Sequence, residues 1–123
     1  MRAAILVALF ALITLAGCTA AAAERAPAPS LDANAVLVTA RDSKFPTEPV
    51  AAPAGVPFTL AFDNLDRVPH NVVLVDANGQ TAFSGTIFSG PRLLGETVPE
   101  LAPGSYRIVC AIHPDMSGTL VAG

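Results

Sequence analysis

Four side chains able to donate to a soft metal ion stand out in this 123-residue chain. Cys110, His113 and Met116 follow one another at two-residue gaps within Cys110-Ala111-Ile112-His113-Pro114-Asp115-Met116, just past an apolar run at 106–109. Far upstream, His70 opens a second apolar run at 71–75. Thiolate and thioether favour Cu(I), and imidazole serves both oxidation states. Two imidazoles, a thiolate and a weak axial thioether are the donors of a copper ion that passes single electrons.

Singly, each residue is ordinary. A lone histidine is more often structural than a ligand, and buried methionine or cysteine is common core filler. Their conjunction is not ordinary. His70 and His113 are the two histidines of the chain, Met116 is the one methionine besides Met1, and the second cysteine, Cys18, lies in a different context. Zinc is the competing metal, but it takes Cys, His or carboxylate ligands and gains little from a thioether. A Cys110–His113 nucleophilic pair is a further alternative, without an evident third group to orient it. A looser site for Cu(I) storage or delivery to an oxidase uses the same donors and stays open.

The elements that must position these residues read as β. Eleven Pro, nine Gly and the absence of a long helical period disfavour helix. Short apolar runs at 35–40, 56–62, 72–75, 96–101, 106–111 and 117–121 are separated by turn signals such as Pro53-Ala54-Gly55 and Asp76-Ala77-Asn78-Gly79. Phe58, Leu60 and Phe62 alternate as one buried face. Phe45, Phe83, Ile87 and Phe88 are expected in the core. The least regular stretch is 80–100. Strands at this spacing predict an all-β sandwich of seven or eight strands in Greek-key order.

Charged residues make up only 14% of the chain, and the formal net charge is −3. Lys and Arg are scattered singly, so no basic patch suggests nucleic acid. The hydrophobic excess lies at the front. Residues 3–16 form an apolar run after Arg2, shorter than the roughly 20 residues a membrane-spanning helix needs, and read as a signal segment. Leu15-Ala16-Gly17-Cys18 resembles the lipobox of bacterial lipoproteins, which implies lipidation of Cys18 and a membrane anchor. Cleavage among Ala20 to Ala23 is the alternative. An Ala/Pro-rich tether follows. The expected organisation is a signal peptide at 1–17, a tether at 18–33 and one domain at 34–123.

Two segments resemble the cupredoxins, the blue-copper family. Val68-Pro69-His70-Asn71-Val72-Val73 is similar to the segment of plastocyanin-like members that carries the first ligand. Cys110 to Gly118, as Cys-x2-His-Pro-x-Met-x-Gly, resembles amicyanin-like members, which share the short gap from His to Met. The resemblance implies one type 1 copper ion, with His70, Cys110 and His113 in a trigonal plane and Met116 on a long axial bond. It implies that Asn71 ties the ligand loops together, with Pro69 and Pro114 stiffening them. It further implies an electron carrier rather than an enzyme, acting as a monomer between a redox protein donor and acceptor. His113 would pass the electron through an apolar patch for which Pro114, Phe45 and Pro46 are candidates. The place implied is the periplasmic or outer face of a membrane.

Overall fold

The computed structural model describes residues 31–32 and 34–123. The signal segment, Cys18 and nearly all of the tether lie outside the described residues. Alternation dictates the first layer. Val36–Ala40 (β1) buries Val36, Val38 and Ala40 and leaves Leu37 facing out. It runs parallel to Phe58–Asn64 (β3), which pairs antiparallel with Arg92–Val98 (β8). The second layer holds Val50–Ala52 (β2), Val73–Val75 (β5), Thr81–Ser84 (β6), Gly104–Val109 (β9) and Ser117–Ala122 (β10). Its order is β2-β10-β9-β5-β6. Pro69–His70 (β4) and Phe88–Ser89 (β7) form a separate two-stranded pair. Among the described residues there is no helix, and eight strands have three residues or more. The expected β-sandwich is the observed fold.

Local chemistry explains the connections. β5 and β6 are joined by a hairpin in which the Asp76 carboxylate accepts from the amides of Asn78 and Gln80, and Gly79 takes φ +81°. That left-handed conformation is nearly free of cost for glycine. The Tyr106 hydroxyl donates to the Ala102 carbonyl at 2.9 Å, fastening the turn before β9. The runs flanking Pro53-Ala54-Gly55 part company: β2 joins β10 in one sheet and β3 joins β1 in the other. The turn therefore carries the chain between layers.

The core lies between the sheets and is closed at one end by an aromatic row. The Phe62 ring stands 6.3 Å from Phe45 and 5.3 Å from Phe88, the latter edge to face. This row packs the turn after β1, strand β3 and strand β7 together, beneath the end where His70 lies. Phe45 and Phe88 are buried as expected. Two expectations in the irregular stretch need correction. Ile87 is 48% exposed and outside the core, and Phe83 is half-buried at its margin. Apolarity alone does not say which face of a short edge strand a residue takes.

Candidate metal centre

Cys110 directly follows β9, whose last residue, Val109, is flanked by Val73 of β5 and Ser117 of β10. The sheet thus fixes the cysteine from both sides, and Cys110 is 4% exposed. The chain then loops and returns. The Met116 amide donates to the His113 carbonyl at 3.0 Å, closing a β-turn with Pro114 in its second position, where the fixed φ of proline suits it. Met116 ends 2% exposed, while His113 is only partly buried. Gly118 packs closely just beyond: a Cβ there would come within 3.1 Å of the Phe45 Cβ and 3.3 Å of the Pro46 carbonyl.

His70 arrives from the other side of the sandwich end. It pairs with Phe88 across β4 and β7 and is fully buried. Its Nδ1 lies 3.0 Å from the Nδ1 of His113 and 3.9 Å from the Sγ of Cys110, and the Cys110–His113 separation is 3.6 Å. Metal–nitrogen and metal–sulfur bonds of about 2.0–2.3 Å in a trigonal plane set donors roughly 3.5 Å apart. A single ion would reach all three atoms, so the residues present fit a metal. Among the described residues, His70, Cys110 and His113 form a group whose ligand atoms all lie within 4.8 Å of one another.

Asn71, 1% exposed, accepts from the Ala111 amide at 2.9 Å and donates to the Gly85 carbonyl at 3.0 Å. It links the segment carrying His70 to the residue after Cys110. Pro69 is exposed and pairs with Ser89, and Pro114 is exposed in the β-turn. Of the three candidates for an apolar patch beside His113, Pro114 is exposed and Pro46 half-buried. Phe45, at 5% exposure, belongs to the core instead.

Sequence reasoning missed Asp66. It lies in the polar connection between two apolar runs, at 63–67, and its Oδ2 sits 2.9 Å from the Nε2 of His70. The same carboxylate accepts from the amides of Asp42 at 2.8 Å and Ser43 at 2.9 Å. These two residues are the corner of a tight Arg41–Lys44 hairpin and take φ of 53° and 55°. Left-handed backbone costs a non-glycine residue about 1–2 kcal/mol, and here it aims both amides at Asp66. Burial alone would raise the Asp66 carboxyl. The amides of Ser43 and Asp42 and the His70 ring outweigh that and hold it below the usual carboxylate range. Asn64, fully buried, organises the loop: it donates to the carbonyls of Val68 and Phe88 and accepts from the Asp66 amide. The spacing Asp66 to His70 was the available signal.

A family model described as a cupredoxin-like domain matches residues 4–122. The chain belongs to the cupredoxin-like family. Amicyanin from Paracoccus versutus (Thiobacillus versutus) is similar to this cupredoxin at 26% identity over 76% of this chain and 86% of that one, with a TM-score of 0.59. Auracyanin A, a "blue" copper protein from the green thermophilic photosynthetic bacterium Chloroflexus aurantiacus, superposes with a TM-score of 0.60. It covers 72% of this chain and 98% of that one at 18% identity, a likeness of fold alone. No curated protein matches this cupredoxin.

Proposed function

We propose that this cupredoxin carries single electrons on one blue-copper ion held by His70, Cys110 and His113, with Met116 as the weak axial donor. It is an electron carrier and not an enzyme. The observation that carries the reading is the convergence of two imidazole Nδ1 atoms and one Sγ within 3.9 Å of each other at the end of a cupredoxin sandwich. Copper supplies the Cu(I)/Cu(II) couple when bound. The task of the chain is to keep its donors still while the charge changes. Cys110 is held by strands on both sides, His70 by β4 and the Asp66 carboxylate, and the Cys110–Met116 loop by Asn71 and its own β-turn. The donor chemistry supports copper over zinc, because a thioether contributes little to zinc. Donor and acceptor are redox proteins, reached through the partly exposed edge of His113.

The lipobox-like Leu15-Ala16-Gly17-Cys18 supports export, with the β-domain at 34–123 tethered to a membrane through lipid on Cys18. Mass spectrometry of the mature N-terminus tests this arm separately.

Optical and EPR spectra after adding Cu(II) to the domain, with Cys110→Ser as control, test the main reading. An intense blue band lost in the variant is the expected result. A colourless protein that still binds Cu(I) tightly would replace electron transfer with copper storage or delivery, and no binding at all would overturn the copper assignment.

A further inference from the structure

The hydrogen bond from His70 to Asp66 has a consequence for the proposed copper ion that the donor set alone does not give. An ionised carboxylate only accepts hydrogen bonds. The Asp66 Oδ2 at 2.9 Å therefore places the His70 proton on Nε2 and leaves the lone pair on Nδ1, the atom that faces His113 and Cys110. The ring has no other polar neighbour within hydrogen-bond reach of Nε2 among the described residues, and the histidine is fully buried.

The carboxylate is itself immobilised from four directions. Asp42 and Ser43 donate to its two oxygens, Asn64 Oδ1 accepts from its amide, and its carbonyl accepts from the Gly90 amide at 2.9 Å. Its side chain is only 15% exposed, so solvent screens it weakly. A fixed negative charge one imidazole away makes the ligand nitrogen more basic and favours the more positive state of an ion bound to it.

Resting on the copper reading above, we propose that Asp66 is a positioning residue that fixes the tautomer of His70 and biases the copper site toward Cu(II), lowering its reduction potential. A purely structural role is the competing account, since Asp66 also staples the Arg41–Lys44 hairpin to the loop after β3.

The experiment has two arms. In the metal-free wild-type protein, nitrogen-15 NMR reads the His70 tautomer directly. The Nε2-protonated form is expected, and an Nδ1-protonated ring would overturn the proposal whether or not copper binds. In the copper-loaded protein, Asp66→Asn keeps the shape and one acceptor but removes the charge. With the blue band retained, its midpoint potential should rise so that Cu(I) is favoured about tenfold more, which is about 59 mV for one electron. Asp115→Asn, which neutralises an exposed acid two residues from His113, should shift it less. An unchanged potential in Asp66→Asn, or equal shifts in the two variants, would reduce Asp66 to a structural staple. Failure of the wild type to turn blue would overturn the copper reading and the tuning with it. The tautomer arm would then judge the positioning alone, and it also decides if the Asn variant does not fold.

Discussion

At the scale of single residues, the site depends on side chains that end other hydrogen-bond ladders. Asn71 is the plainest case. Its amide takes the place of a backbone partner for both the Ala111 amide and the Gly85 carbonyl, where no strand reaches them. Removing it leaves two backbone groups to find water near a buried position, and an unsatisfied buried group costs about 1–3 kcal/mol. Asn71→Ala should therefore lower the denaturant midpoint of the metal-free protein by an amount in that range, with the slope unchanged. It should also weaken copper retention, because Ala111 adjoins Cys110. Urea titration with and without metal checks both, and a midpoint equal to wild type would mean that water replaces the side chain without loss. Asp66 and Asn64 work in the same manner on the His70 side, so each half of the donor set has its own polar clamp.

At the scale of elements, the short pair β4 and β7 is held by close backbone approach rather than by ladder length. A Cβ on Gly90 would run into the Asn64 carbonyl and lie 2.7 Å from the Asp66 carbonyl. Both are backbone atoms, which no rotamer change can move aside. Gly90→Ala should cost about 3 kcal/mol, the upper end for overpacking, and disturb His70. Gly79→Ala, at a φ of +81° but in open space, should cost only about 1 kcal/mol. Thermal melts of the two variants test this contrast, and equal losses would contradict it. These elements also show what was legible beforehand. The loop from Cys110 through His113 to Met116 was readable because its spacing is local and the strands on either side alternate clearly. β1, β3, β9 and β10 were found within a few residues for the same reason. Asp66 was only half readable: its spacing to His70 is local, but what fixes its carboxylate is the amides of residues 42 and 43, and no local pattern announces partners more than twenty residues away. Ile87 was misplaced because it falls in the connection between β6 and β7, where no strand alternation fixes the side an apolar residue takes.

At the scale of the molecule, stability and site share one scaffold. Phe62 is 1% exposed and touches aromatic rings from the turn after β1 and from β7, so it joins the three-stranded sheet to the β4–β7 pair that carries His70. Phe62→Ala should cost about 3–5 kcal/mol, against a typical total of about 5–15 kcal/mol for a small domain. A large drop in the urea midpoint is expected, together with loss of copper binding at temperatures where the wild type remains loaded. A midpoint shift below about 1 kcal/mol would show that the row is not the keystone of that end. The exposure of the donors has a further result. His70, Cys110 and Met116 are buried, and His113 alone among them reaches the surface. On the proposed copper reading, His113 is where both an incoming ion and a redox partner would approach, so a protein seated over it to exchange charge would also shut the metal in. Occupancy and traffic are then rivals in time: the carrier can be refilled only while it is idle.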